Sequence, residues 1–467
     1  MKATCAILFI LLLVSLSHAQ QCWTKTYGGT NWDEGYSVQQ TSDGGYIVSG
    51  YTRSFGAGSD DVWLIKTNAS GDTLWTKTYG VAGEEEGNSV QQTSDMGYIV
   101  AGYTRSFGDT MQVYLIKTNA SGDTLWTRTY GGANWDNGYS VRQTSDGGYI
   151  IVGYTTSFGG AGQSNVYLIK TNASGDTLWT RTYGGTNESY GSSVQQTSDG
   201  GYIITGQIFL GPKGYDAYLI KTNASGDTLW TRTYGGTSGD YGSFVQPTSD
   251  GGYIVAGYTA SYGAGGPDVW LIKTNASGDT LWTRTYGGTG GDYCFSGQAT
   301  SDTGYIVAGY TTSFGAGGFD VYLVKTNASG DTLWTRTYGG TSSDFGDGVQ
   351  QTSDGGYIIS GSTNSFGAGG YDAYLIKTDA NGNVGVETPV RQLDGSTVRQ
   401  LKATPNPFTS FANIPGHEGE RFALYDISGR KVGTYRGDRI GEGLSPGVYF
   451  LSPKGGSDRP IRIVKVR

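Results

Sequence analysis

Histidine is almost missing from this chain. There are two in 467 residues, His18 in an apolar leader and His417 close to the C-terminus. Nucleophile systems that need an imidazole base, and metal sites built on histidine, are therefore excluded from the long middle of the sequence. Cysteine is as scarce: beyond the leader only Cys22 and Cys294 remain, at non-equivalent points of the repeat described below, so no disulfide framework is expected. Ten prolines beside eighty glycines exclude collagen, and 13% aromatic residues argue against disorder. What is left is a turn-dense, all-β composition. Positive charge is short before residue 398, with 20 Lys and Arg against 34 Asp and Glu; from there on the balance is 12 against 6. The concentrated basic surface a nucleic acid requires is absent, and no nucleic-acid partner is expected. Nor is any segment after the leader apolar enough to span a bilayer.

One stretch is present in abundance. Asp268 to Gly288, DVWLIKTNASGDTLWTRTYGG, recurs with small changes up to about residue 383. Its two halves are rich in aromatic and β-branched residues that suit strands, and the Asn-Ala-Ser-Gly-Asp between them supplies a turn. Trp23, Trp75, Trp126, Trp179, Trp230, Trp282 and Trp334 stand 52, 51, 53, 51, 52 and 52 residues apart, a fixed period that marks a repeat architecture. Between successive tryptophans lie a variable loop, a strand such as Ser37 to Thr41, the turn Ser42-Asp43-Gly44-Gly45, the apolar strand Tyr46 to Tyr51 and a second variable loop. Four strands per period is the content of one propeller blade. The first copy opens on a Trp strand with no hairpin partner before it. The last ends on Tyr371 to Thr378 and a turn with no Trp strand after it. The reading is an all-β, seven-bladed β-propeller over residues 20–383, closed by its N-terminal strand, so that neither sheet edge is left bare.

The ends carry different signals. Met1-Lys2, the apolar run Ala6 to Leu16 and Ser17-His18-Ala19 have the form of a signal peptide over residues 1–19. Residues 384–400 read as a linker. Residues 401–467 alternate apolar and polar positions between glycine turns, as a small C-terminal β-sandwich would.

Some positions are alike in every copy, and local structure explains them. Asp43 and its equivalents precede a turn glycine, and Gly50 and its equivalents sit where neighbouring sheets are expected to press on the backbone. The recurring Asn-Ala-Ser matches a glycosylation acceptor but is explained by the hairpin turn. Ser70-Gly71-Asp72-Thr73-Leu74-Trp75 falls short of a sialidase-type Asp box, and the turn lacks the spacing of a calcium loop. No metal site and no cofactor is expected.

The variable positions are informative. Strands alternate direction, so both variable loops of each copy emerge on one face and both conserved turns on the other. The first loop set pairs acids with aromatics, and the candidate ligand-binding residues are Trp32, Asp33, Glu85, Trp135, Asp136, Tyr190, Asp240, Tyr241, Asp292, Tyr293, Asp344 and Phe345. Aromatic groups beside carboxylates hold sugars, peptides or cations. The bland alternative is that each acid caps the entry to the inner strand while the aromatic packs over a neighbouring blade.

The glycine-ending strand YIVAGYT at Tyr253, followed by a hairpin with an early aromatic (Tyr322) and a late Trp (Trp334), resembles Kelch-like and other secreted bacterial propeller repeats. Ala403-Thr404-Pro405-Asn406-Pro407-Phe408, Tyr425-Asp426-Ile427-Ser428-Gly429-Arg430, Gly447-Val448-Tyr449-Phe450 and the terminal Ile463 to Arg467 resemble the type A C-terminal sorting domain of the type IX secretion system. That resemblance implies export through the type IX machinery as a partner, and a secreted, extracellular or outer-surface location. The expected function is non-catalytic binding or adhesion to an extracellular glycan, peptide or protein. The alternative is a secreted hydrolase or other propeller enzyme acting on extracellular polymers, since an Asp-rich face can hold a carboxylate pair.

Overall fold

The computed structural model describes residues 22–107, 110–159, 163–384, 410–412, 421–426, 430–436, 438–441, 443–453 and 461–465. The leader over 1–19, the body of the linker and the Pro-Asn-Pro-Phe segment lie outside them. The chain divides into two compact units between residues 387 and 388.

Within each repeat the turns form for local reasons. Asn68 Oδ1 accepts the N–H groups of Ser70 and Asp72 at 2.9 and 2.8 Å, while Gly71 takes a φ of +76°. The chain therefore reverses, and Asp61–Thr67 pairs antiparallel with Thr73–Tyr79. Asp43 Oδ1 accepts the Gly45 N–H at 3.0 Å and the Thr41 hydroxyl at 2.5 Å, which joins Asp33–Gln40 to Tyr46–Thr52. The product is a four-stranded antiparallel sheet in chain order. Every residue of its two middle strands is buried, whereas the outer strand alternates and leaves Leu74 exposed. Middle strands apolar without alternation are what a sheet covered on both faces requires.

Six sheets of this kind follow one another. One more is completed across the length of the repeats, where Trp23–Tyr27 pairs antiparallel with Asp372–Thr378, Trp23 opposite Lys377 and Thr26 opposite Tyr374. The first strand of each sheet touches the first strand of the next, through to the contact of Asp344–Gln351 with Asp33–Gln40. The sheets thus close about a common axis as a β-propeller.

Two repeated devices join sheet to sheet, and a third ties each sheet within itself. A Trp slides beneath the turn glycine of the following sheet: a Cβ on Gly71 would come 2.7 Å from the Trp23 indole, and the Tyr27 hydroxyl donates to the Gly71 carbonyl at 2.6 Å. The latch recurs through Trp334, Tyr338 and Gly382. Glutamine side chains bridge the inner strands, as where Gln92 N–H donates to Gln39 Oε1 at 2.6 Å. Across the closure Gln40 N–H donates to Gln350 Oε1 at 2.5 Å and Ser353 N–H to Gln40 Oε1 at 2.8 Å. Third, a lysine buried in the third strand of each sheet reaches the turn aspartate, from Lys66–Asp43 at 2.8 Å to Lys377–Asp354 at 2.9 Å.

The constant glycine of the second strand has a different cause from the one expected. A Cβ on Gly50 would come 1.8 Å from the Glu34 carbonyl oxygen of its own sheet. The inner strand bulges between Gly35 and Ser37 and presses its backbone there.

In the C-terminal unit the described residues form one four-stranded antiparallel sheet, ordered Lys431–Arg436, Arg421–Asp426, Gly447–Pro453, Ile461–Lys465. Phe422, Leu424 and Leu451 pack with Ala412 and Ile440 on one side of it.

Candidate functional site

The two variable loops of each repeat meet on one face, as the alternation of strand direction demands: Asn31 N–H donates to Ser54 Oγ at 3.1 Å, and Arg53 N–H to the Trp32 carbonyl at 2.8 Å. The six carboxylates among the candidates are buried. Asp33, Glu85, Asp136, Asp240, Asp292 and Asp344 each have 0% of their surface exposed. Each ties the loops together. Asp33 accepts from Gly29 N–H at 2.8 Å, from Ser54 Oγ at 2.6 Å and from the Thr52 hydroxyl. Asp240 does the same with Gly236 N–H (2.8 Å), Ser261 Oγ (2.6 Å) and Thr259, and Asp344 with Gly340 N–H (2.8 Å), Ser365 Oγ (2.7 Å) and Thr363. Asp136 and Asp292 bind Ser157 and Ser313 at 2.6 Å, and Glu85 binds Thr104 at 2.8 Å. A buried carboxylate without such donors would be costly, so these hydrogen bonds stabilise the loops.

The aromatic candidates fare differently, because most of them join one continuous belt. From Tyr154 the ring centroids run to Tyr190 (5.1 Å), Tyr215 (6.3 Å), Tyr241 (5.8 Å) and Tyr258 (4.5 Å, stacked). They continue to Tyr293 (5.0 Å), Tyr310 (4.8 Å), Phe345 (4.9 Å), Tyr371 (5.8 Å) and Trp32 (5.7 Å). Trp32 is 46% exposed with the Arg53 guanidinium 5.0 Å from its ring, and Trp135 is 57% exposed. Aromatic edges and faces at 4.5–7 Å attract one another, so the belt is a pre-formed surface.

The residue after each of these six acids, and after Ser189 in the remaining sheet, occupies the second place of the inner strand: Glu34, Glu86, Asn137, Tyr190, Tyr241, Tyr293 and Phe345. Aromatic side chains fill it in four consecutive sheets and carboxylates in two. Tyr51 and Tyr103 donate their hydroxyls to Glu34 (3.0 Å) and Glu86 (2.8 Å). Burial raises both carboxyls; the charges of Asp60, Glu34 and Glu84 add to it for Glu86, which is pushed up to about 7. Inward of this layer lies a central cavity of about 260 Å³, lined among others by Tyr36, Asn88, Tyr139, Ser192, Phe295, Asp347 and, deeper, Arg142 and the bridging glutamines. Asp347 is raised well above the usual carboxylate range by burial and by the charge of Glu34, and burial depresses Arg142, whose Nη1 donates to the Val141 carbonyl at 2.8 Å.

Of the residues singled out from the sequence, Trp32, Tyr190, Tyr241, Tyr293 and Phe345 lie in the aromatic belt, whereas Glu34, Glu86, Tyr258, Tyr310, Tyr371 and Asp347, which share the mouth with them, were not singled out. Among the described residues no three His, Cys, Asp or Glu are grouped to hold a metal ion, and no helix is long and apolar enough to cross a membrane.

No family model matches this chain. The regulatory protein FlaEY of Caulobacter vibrioides is 26% identical over 168 residues, which cover 33% of this chain and 16% of that protein. Among solved structures, the WD40 domain of Neurospora crassa Pan2 has 7% identity and a TM-score of 0.45 over 77% of this chain and 96% of its own. Sqt1 from Chaetomium thermophilum has 10% identity and a TM-score of 0.44 over 73% and 82%. A Bacteroides caccae protein of unknown function has 13% identity and a TM-score of 0.36 over 56% and 93%.

Proposed function

We propose that this protein is a seven-bladed propeller, exported through a type IX system and displayed outside the cell or on its surface, that binds an extracellular ligand at the mouth of its central channel without catalysing a reaction. One observation carries the reading. Sheet-to-sheet joints repeat almost unchanged, yet the ring of side chains at the channel mouth runs from Glu34 and Glu86 through Asn137 to four aromatics in a row. Aromatic faces beside a few placed polar groups around a concave opening are a usual form of binding site. The scarcity of histidine, and the burial of the loop carboxylates in hydrogen bonds, favour binding over hydrolysis.

The test is a glycan, peptide and protein array probed with the full chain and with Tyr258→Ala and Tyr310→Ala. The reading expects a ligand retained by the parent and lost by both variants, whose far-ultraviolet spectra and melting stay close to the parent's. Retention unchanged in both variants moves the site elsewhere. Turnover in a broad polymer-substrate screen, abolished by Glu86→Gln, assigns the mouth to an enzyme. Export is tested separately: removal of residues 401–467 is expected to strand the propeller inside a type IX-competent host.

A further inference from the structure

The channel mouth has two unlike sides, and the difference names its ligand chemistry. On one side the neighbouring inner strands Asp344–Gln351, Asp33–Gln40 and Glu85–Gln92 bring Asp347, Glu34 and Glu86 within electrostatic reach of Tyr36, which lines the cavity. Among the described residues none of the three is ion-paired. The nearest guanidiniums are engaged elsewhere: Arg53 with Asp60 at 2.5 Å and Arg105 with Glu84 at 2.7 Å, although Arg53's charge still reaches Glu34. Across the ring from Glu34 and Glu86 the belt passes through Tyr190, Tyr241, Tyr258 and Tyr293, electron-rich on their faces. Asp347 itself lines the cavity and, among the described residues, accepts no hydrogen bond and makes no ion pair. Acceptors on one wall and π faces on the other suit one class of guest.

Resting on the binding role proposed above, we infer that the mouth takes an alkylammonium cation, with its charge beside Glu34, Glu86 and Asp347 and its chain against the tyrosine belt. Carboxylates supply the charge term, and aromatic faces add cation–π attraction while shielding the alkyl stem from water. A bound ammonium draws these carboxyls, held protonated by burial and by one another's charge, into their charged form, which a neutral sugar does not. Arg142, deeper in the same channel, repels a second positive charge. The guest is therefore a single ammonium group entering from the variable face. A lysine side chain of an extracellular peptide and a free amine share this chemistry.

Calorimetric titration of the full chain separates the outcomes. The probes are Nα-acetyl-lysine methylamide, its Nε-acetylated counterpart and 1-aminopentane. Saturable binding of the lysine derivative, weakened at least about tenfold by Nε-acetylation and again by the Glu34→Gln/Glu86→Gln pair, is expected. Tighter binding of the lysine derivative than of 1-aminopentane points to a peptide source, the reverse to a free amine. Equal binding of the acetylated probe, or no saturation on the order of 10 mM, overturns the cation. Because neutralising two carboxyls can also disturb packing, Tyr293→Ala is measured alongside; it must weaken the amine while leaving Glu34 and Glu86 in place. A neutral array ligand displaced by Tyr258→Ala, with no amine bound, would sink the cation but keep the mouth as a binding site. Amine binding indifferent to every mouth variant would sink both.

Discussion

Gly257 has no side chain because the Tyr241 carbonyl occupies the place where one would go, 1.8 Å from an ideal Cβ. Gly251, in the turn just before, has nothing within 4 Å of its Cβ and needs only its φ of +80°. The two glycines therefore answer differently to the same change. Gly257→Ala forces backbone apart and is expected to cost about 3 kcal/mol or more, whereas Gly251→Ala pays only for the left-handed conformation, about 1 kcal/mol. Urea unfolding of both variants checks the ranking; equal losses would mean the bulged strand yields easily. Both glycines were visible in the sequence as constants. What a repeat alignment cannot say is which carbonyl stands over the second one. The burial of the six acids was open to sequence reasoning for a related reason, as the alternative in which each acid caps the entry to the inner strand. Asp33, Thr52 and Ser54 recur as Asp240, Thr259 and Ser261 and as Asp344, Thr363 and Ser365, and donors kept at fixed distance from an acid are the mark of a loop tie.

Each Trp latch couples an outer strand to the next sheet, so its removal should be felt as a lost joint. Trp179 is half-buried, packs edge-on to Tyr202 at 5.9 Å and roofs Gly226. Trp179→Ala is expected to lower stability by about 2–3 kcal/mol. Trp23 is 2% exposed and belongs to the strand that closes the ring. Trp23→Ala should cost more, about 3–5 kcal/mol, and loosen residues 372–378 in hydrogen exchange, while Trp179→Ala leaves them protected. Strands and turns at this scale were legible, since periodicity and turn residues dictate them. The lining of the channel was not. Counting by twos along the inner strand fails at the bulge between Gly35 and Ser37, which inserts Tyr36 and resets which side chains face the axis.

Over the whole propeller, two families of carboxyl groups oppose one another as pH changes. Burial alone would raise Asp43, but the Lys66 ammonium, the Thr41 hydroxyl and the Gly45 N–H outweigh it and hold the group at about 2, as in Asp146, Asp199 and Asp250. These groups bind fewer protons folded than unfolded, so their stabilisation is present above pH 4 and is lost as pH falls towards 2. Glu86, at about 7, is raised by burial and by its acidic neighbours; Asp268, Asp320 and Asp372 are raised by burial, each with a second carboxylate facing it across the joint between sheets. The folded state keeps these protons longer, and stability declines as pH rises from 4 through 7. Melting temperature is therefore expected to peak near about pH 4 to 5 and to fall on both sides. A maximum at pH 8 would show that the paired carboxyls are neutralised by something else, and addition of a divalent salt would then shift the curve.

Closure also fixes an order of events. Gln40 and Gln350, joined by a hydrogen bond, are 310 positions apart, and the ribbon Trp23–Tyr27 finds its seat only on Asp372–Thr378. During synthesis the earliest-made strand waits, unpaired, until the final repeat has emerged. A chain halted anywhere short of that repeat carries two naked borders, and is marked by its own incompleteness for proteolysis or capture.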